Sequence, residues 1–197
     1  MSAPPTPWPE FSTWYAEAVA SEPDVPDAMQ VATVDARGFP SVRTVLLKDF
    51  GPDGLVFYTN LTSRKGRELH ARPRAAAVLH WKSLQRQALF EGPVERVDDA
   101  TADAYFATRP RGSQLGAWAS HQSAPIGGRA ELEAALAEVV ARFGDGPVAR
   151  PPHWSGFRIR PERVELWQGR RDRLHDRRTW RVDADAPGGW VFELLQP

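Results

Sequence analysis

The sequence predicts a mainly β protein with flanking helices, an α+β domain whose antiparallel strands curl into a barrel. Three observations lead there. Short β-rich runs separated by turn residues fill the stretch from Met29 to Val97, a helical block follows from Asp99 to Phe143, and short strands resume from Trp154 to Leu194. Strands spaced by tight turn signals pair as hairpins, and strands that enclose a helical block pack as a barrel with helices on its flank.

Taken in order, residues 1 to 9 hold four prolines, and residues 1–10 are expected to form a disordered arm. Phe11, Trp14, Tyr15, Ala18 and Val19 recur at helical spacing, and the run from Ser21 to Asp27, with two prolines, ends that helix. Strands follow at Met29–Val34, Ser41–Lys48 and Leu55–Thr59, with turns at Asp35–Gly38 and Asp49–Gly54. A short helix from Ser63 to Ala71 is stopped by Pro73, and Ala75–Trp81 and Arg86–Val97 return to strand. Asp99–Ala107 carries acid in its first turn, Pro110 breaks the pattern, Ser113 can cap a short helix through Trp118, and Arg129–Phe143 is the longest amphipathic stretch. After a Pro/Gly-rich link from 144 to 152 come strands at Trp154–Arg160, Arg163–Trp167, Asp172–Arg177, Thr179–Val182 and Trp190–Leu194. Residues 11–197 read as a single domain.

Composition narrows the function. Lys plus Arg and Asp plus Glu both total 25, so no overall field draws the chain to nucleic acid or to an anionic membrane. The absence of cysteine removes disulfides, iron–sulfur clusters, cysteine zinc sites and thiol nucleophiles, and fits a reducing cytoplasm. No signal-peptide pattern opens the chain and no apolar run approaches about 18 residues, so a cytoplasmic protein is expected. The five histidines lack metal-ligand spacing, so no metal is expected, and there is no Walker loop, dinucleotide-binding glycine motif or Gly-x-Ser-x-Gly elbow.

Four stretches carry candidate chemistry. Asn60-Leu-Thr-Ser-Arg64-Lys65 leads from strand to helix, where backbone N–H groups, a hydroxyl and two cations can converge on a phosphate; an ordinary Ser63 cap with exposed basic neighbours is the plainer alternative. Arg43-Thr-Val-Leu-Leu-Lys48 is a hydrophobic strand bracketed by cations that face opposite sides of a regular strand. Tyr105, Arg109 and Ser113 form a corner between two helices that can bind a second anion. Last, in Glu165–Arg177, extended backbone puts Arg171, Arg173, His175 and Arg177 on one face, built to hold an anion, with Leu174 on the other.

Seven motifs in consistent order resemble the pyridoxine/pyridoxamine 5′-phosphate oxidase family: Arg-x-Val-Leu-Leu-Lys (43 to 48), Phe-Tyr-Thr-Asn (57 to 60), Ser-Arg-Lys (63 to 65), Arg-Gln (86, 87), Tyr-Phe-x-x-Arg-Pro-Arg-x-Ser-Gln-x-Gly-Ala-Trp (105 to 118), Gln-Ser (122, 123) and Trp-Gln-Gly-x-x-x-Arg-Leu-His-Asp-Arg (167 to 177). The resemblance runs from about Met29 to the C-terminus. It implies an FMN-binding split β-barrel, active as a homodimer with FMN at the subunit interface. Its implied reaction oxidises pyridoxine 5′-phosphate or pyridoxamine 5′-phosphate with O2 to pyridoxal 5′-phosphate, releasing hydrogen peroxide and, from the amine, ammonia. By similarity Arg43, Thr44, Val45, Leu46, Leu47, Lys48, Tyr58, Thr59, Arg64, Lys65, Gln87, Gln122, Ser123, Trp167 and Arg177 hold FMN. Lys48, Tyr105, Arg109 and Ser113 hold the substrate phosphate, and Arg173 and His175 sit over the pyridine ring as the catalytic pair. Two departures stand out: the Arg-Arg-x-Tyr segment of relatives has no counterpart in the Pro-rich start, and Leu194 stands where relatives commonly carry Arg. A related barrel flavoenzyme acting on another substrate, as in phenazine biosynthesis, or an FMN- or pyridoxal-phosphate-binding carrier are the alternatives. Retention of both the Tyr105/Arg109/Ser113 corner and Arg173/His175 favours the oxidase.

Overall fold

The structure, a computed structural model, describes residues 6–197. Its elements run α1 (Trp8–Ser21), β1 (Ala28–Val34), β2 (Pro40–Leu46), β3 (Asp49–Gly51), β4 (Gly54–Asn60), α2 (Arg64–Ala71), β5 (Arg74–Trp81), β6 (Arg86–Arg96), α3 (Asp99–Thr108), α4 (Arg111–Ala119), α5 (Arg129–Phe143), β7 (Trp154–Ile159), β8 (Arg163–Gln168), β9 (Asp176–Val182) and β10 (Trp190–Leu195). Every strand pairing is antiparallel. Among the described residues no helix is long and apolar enough to cross a membrane.

The barrel and its split both follow from the length of β6. Along one edge β6 pairs with β5 from Arg86 to Pro93; along the other it pairs first with β8, from Arg86 to Glu91, and then with β7, from Val94 to Arg96. Gly92 sits at the change of partner. A Cβ there would lie 2.0 Å from the Arg160 carbonyl oxygen, so only glycine lets the two chains pass. From β7 the circuit continues through β4, and from β5 through β1 to β2; Lys48 N–H donates to the Val56 carbonyl (2.8 Å) and joins the end of β2 back to β4. Strands β8, β9 and β10 leave this ring as a separate wing.

Alternation fills the ring: Met29, Val31 and Thr33 of β1 and Ala75, Ala77, Leu79 and Trp81 of β5 point inward and are buried. Helix α1 covers the ring with Trp8, Phe11, Trp14 and Ala18, the residues four and three apart that its amphipathic pattern puts on one face. Phe11 meets Phe50 and Phe90 edge-on at 4.8 and 4.9 Å. A second, smaller core of Phe106, Leu115, Val148 and Trp154 lies under α3, α4 and α5 and includes the flanks of Tyr58 and Tyr105.

Four local expectations change. The helix begins at Trp8, so residues 8–10 are not arm: Trp8 is buried and stacks on Phe90 at 6.2 Å, while residues 1–5 lie outside the described residues. Asp49–Gly51 is not part of a turn but strand β3, because it pairs with Gly54–Val56 across a tight turn whose Gly54 has φ +119. Ser113 is not a cap. Pro110, with extended ψ, ends one helix and precedes the next, which leaves Ser113 in the first turn of α4 with its N–H on the Pro110 carbonyl. The arginine stretch also folds differently. Arg171–Arg173 is a 3-10 turn with Asp172 and Arg173 at φ +56 and +62, and β9 starts only at Asp176. The reason is register: Gln168, the last residue of β8, pairs with Asp176, leaving residues 170–175 with no facing strand. Arg170 instead closes a loop, its side chain on Asp176 and its N–H on His175 Nδ1.

Candidate active site

The strand-to-helix connection after β4 builds one end of a cleft. Asn60 Oδ1 accepts from Thr62 N and Oγ1, the buried Ser63 Oγ accepts from Gly66 N and caps α2, and Gly66 lies so close beneath the turn that a Cβ would sit 2.2 Å from the Leu61 carbonyl oxygen. Ser63 is an ordinary cap, but of its basic neighbours Lys65 is buried and lines the cleft. Lys65 Nζ donates to Thr59 Oγ1 and Gln122 Oε1, each at 3.0 Å, and Arg64 N–H donates to Ser123 Oγ at 3.1 Å. Residues some sixty positions apart thus meet at one helix N-terminus, where aligned N–H groups favour an anion.

The electrostatics are those of a site prepared for negative charge. Lys65 is buried with two neutral oxygens at its ammonium, and burial, with the Arg43 charge added, pushes it down to about 8 against the opposing pull of Glu68. Arg43 and Arg64 both reach Glu68, at 3.2 and 2.8 Å. Burial works against ionisation of Glu68, but hydrogen bonds from Thr33, Ser41 and Arg64 and the Arg43 charge outweigh it and hold the carboxyl down at about 2.

The cleft runs on without a break to the second cationic corner. A cavity of about 400 Å³ is lined by Thr44, Val45, Tyr58, Thr59, Lys65, Gln122, Arg109, Ser113 and Trp154 among others. A neighbouring cavity of about 330 Å³ shares Tyr58, Arg109, Ser113 and Trp154 with it and adds Leu46, Lys48 and Tyr105. Between the two ends Tyr58, Tyr105 and Trp154 stack nearly parallel, with Tyr58–Tyr105 ring centroids 3.9 Å apart, and Arg109 lies 4.8 Å over the Trp154 ring. Arg109 Nη1 is buried with no hydrogen-bond partner among the described residues. Such an atom has surrendered water without a protein acceptor in return, which fits a bound oxyanion. Lys48 at the mouth pairs with Asp27 at 2.7 Å. Leu47 faces the other way, into the core.

The remaining expected residues line different cavities. Gln87, Trp167 and Arg177 border one of about 310 Å³ on β6, β8 and β9, where Arg177 grips Glu165 through two bonds of 2.7 and 3.0 Å. Trp167 and His175, 4.6 Å apart, border another of about 280 Å³ with His80 and Arg170. Arg173 is exposed on the 3-10 turn. Within one chain, then, Thr44, Val45, Tyr58, Thr59, Lys65 and Gln122 line the cleft with Tyr105, Arg109 and Ser113, and Arg64 and Ser123 meet beside it at the α2 N-terminus, whereas Trp167, Arg173, His175 and Arg177 lie on the wing and Gln87 pairs with Trp167 from β6.

Three residues of the cleft escaped sequence reasoning. Asn60 was read only as the start of the cradle, yet it ties the turn to the Ser120 carbonyl (3.3 Å). Trp154 was placed only as the start of a strand, and Glu68 was not singled out at all. A signal was available for Glu68: it is the single acid in Ser63–Ala71, three residues from Lys65 and thus on the same helix face.

Comparison with known proteins agrees with this architecture. A family model described as "Pyridoxamine 5'-phosphate oxidase" matches residues 16–143, and one described as "Pyridoxine 5'-phosphate oxidase C-terminal dimerisation region" matches residues 154–197. The chain is 57% identical over 187 residues to a pyridoxine/pyridoxamine 5′-phosphate oxidase of Sphingopyxis alaskensis, covering 95% of this chain and 85% of that one. It is 61% identical over 167 residues to the enzyme of that name from Azorhizobium caulinodans, covering 85% and 79%. Among solved structures, PhzG from Burkholderia lata 383 in complex with tetrahydrophenazine-1-carboxylic acid superposes with a TM-score of 0.92 at 30% identity, over 100% of this chain and 95% of that one. A pyridoxamine 5′-phosphate oxidase-related, FMN-binding protein from Nostoc punctiforme PCC 73102, at 19% identity and TM-score 0.75 over 98% of each chain, shares the fold. With both family models in sequence order across the chain and these identities over most of its length, the chain belongs to the pyridoxamine 5′-phosphate oxidase family.

Proposed function

We propose that the chain is an FMN-dependent oxidase that converts pyridoxine 5′-phosphate and pyridoxamine 5′-phosphate to pyridoxal 5′-phosphate, with O2 as the electron acceptor and hydrogen peroxide as product, the amine also taking up water and releasing ammonia. The observation that carries this is one cleft with two cationic ends: Lys65 at the cap of α2, with Arg64 beside it, and Arg109 and Lys48, with the Ser113 hydroxyl, beside the stacked aromatics. Two ligands that each bear a phosphate require two such ends. The donor set fits FMN at the first: a buried lysine, a helix N-terminus and the Ser123 and Gln122 side chains for its phosphate, with the Thr44–Val45 strand and Tyr58 along the cavity. Bound FMN would take a hydride from the substrate carbon and pass the electrons to oxygen.

The chain's own residues then bind and orient. Arg109, Ser113 and Tyr105 hold the substrate phosphate and so fix the ring at the open side of the first cavity. His175 accepts the Arg170 N–H at Nδ1 (3.1 Å), which leaves Nε2 to carry the proton of the neutral imidazole and to meet substrate. Arg173 supplies charge beside it. Since Trp167, Arg173, His175 and Arg177 all fall within the stretch that matches the dimerisation region, the reading has the wing of one copy complete the cleft of the other, as a homodimer with FMN between them. The likeness to PhzG supports a second reading, oxidation of a tricyclic carboxylate. Assay of the FMN-loaded chain with both phosphorylated vitamers, with unphosphorylated pyridoxine and with tetrahydrophenazine-1-carboxylic acid separates them: rapid pyridoxal 5′-phosphate formation from the phosphorylated pair alone supports the proposal, and turnover of the tricycle alone defeats it.

A further inference from the structure

Glu68 stands where three elements meet. Its Oε2 accepts from Thr33 Oγ1 on β1 (2.5 Å) and from Ser41 Oγ (2.7 Å) and Arg43 Nη2 (3.2 Å) on β2, while Oε1 accepts from Arg64 Nε at the start of α2 (2.8 Å). The carboxylate is 5% exposed, Thr33 is wholly buried, and Arg43 Nη1 and Nη2 also donate to the Val31 carbonyl (3.1 Å) and to Thr33 and Ser41. A carboxylate so deeply placed persists only with full hydrogen bonding and paired charge, and this one has both. Arg43, Arg64 and Lys65 crowd one another: Arg43 disfavours the charge on Lys65, Arg64 disfavours that on Arg43, and Glu68 opposes both effects. Three cations and one carboxylate leave a local charge of +2, the complement of a phosphate dianion.

We propose that Glu68 is a positioning residue that presets the cofactor-phosphate cradle, anchoring Arg43 and the Arg64 end of α2 to the barrel wall before any ligand arrives. The inference rests on the FMN reading above. Two opposing effects make it testable. Removing the carboxylate raises the local positive charge, which by simple attraction tightens an anion; removing the anchor frees Arg64 and lets the cap of α2 move, which weakens it. The geometry favours the second, because four directional bonds to two strands and a helix are lost for one charge gained.

The experiment titrates the full chain, freed of flavin, with FMN and separately with riboflavin, which has the same ring and no phosphate. In Glu68→Ala, FMN is expected to bind at least about tenfold more weakly while riboflavin is unchanged; Glu68→Gln, which keeps an acceptor oxygen for Thr33 and Ser41, is expected to show the same selectivity by a smaller factor. FMN binding that is unchanged or tighter in both variants overturns the proposal, as does equal weakening of both flavins, the mark of a general structural loss. If Glu68→Ala does not fold, Glu68→Gln decides by the same comparison. A wild-type chain that binds riboflavin no worse than FMN overturns the underlying FMN reading and the inference with it.

Discussion

At the scale of single residues, the cleft is governed by cations that have given up water before a ligand compensates them. Lys65 is the sharpest case. Its folded value of about 8 lies below the ordinary lysine value of 10.5, so between those limits the unfolded chain binds more protons than the folded one, and the apoprotein gains stability as pH rises through that window. A phosphate beside Nζ favours the ammonium, so binding takes up a proton there and affinity falls as pH rises. FMN dissociation constants measured from pH 7 to 9.5 are therefore expected to weaken above about pH 8, by up to roughly tenfold per unit, and Lys65→Met to flatten the profile; a level wild-type profile contradicts this. Arg109 makes a second prediction with opposite signs for activity and stability. Because its buried Nη1 has no acceptor among the described residues, Arg109→Met is expected to lower kcat/KM for the phosphorylated substrates by on the order of 10- to 100-fold while leaving the melting temperature of the apoprotein unchanged or higher. Steady-state kinetics beside thermal melting checks both halves.

At the scale of elements, the site depends on how closely α2 approaches β4. Gly66→Ala puts a Cβ 2.2 Å from backbone that cannot rotate away, so the helix start must shift; the loss is expected to exceed the roughly 1 kcal/mol of removing the Ser63 cap. That cap loss corresponds to about 2–4 °C in melting temperature for a chain of this length, and Gly66→Ala should lower it further and release flavin on gel filtration. The order and kind of elements were legible because strands of alternating burial and helices bounded by Pro, Ser and Asp announce themselves locally. What was not legible depends on register. The alternating arginines after Trp167 read as strand, yet strand exists only where a partner faces it, and β8 stops at Gln168. Short β3 was hidden for the converse reason, three turn-like residues made into strand by the hairpin beyond them. In the candidate site, the Asn60–Lys65 segment, the Tyr105 corner and Lys48 were singled out through resemblance and local charge, whereas Glu68 and Trp154 make contacts with residues far along the chain, which spacing alone does not reveal.

At the scale of the whole molecule, the expected residues fall into two sets on different faces of one chain, the cleft beside α2 and the wing of β8 and β9. If the wing of one copy completes the cleft of the other, two inactive variants repair each other. Mixing Lys65→Ala chains with His175→Ala chains under conditions of subunit exchange is expected to restore activity, because half of the sites in each hybrid dimer have both sets intact; failure to recover activity in proven hybrids places all the machinery within one chain. Coupling of a bound flavin to a phosphorylated pyridine is read out by one anaerobic measurement. FMN-loaded protein is mixed with pyridoxine 5′-phosphate without oxygen, the flavin absorbance is followed, and air is then readmitted. Bleaching, recovery in air and one equivalent of pyridoxal 5′-phosphate per flavin in the first cycle are predicted. A flavin that stays yellow with both pyridoxine 5′-phosphate and pyridoxamine 5′-phosphate contradicts the account.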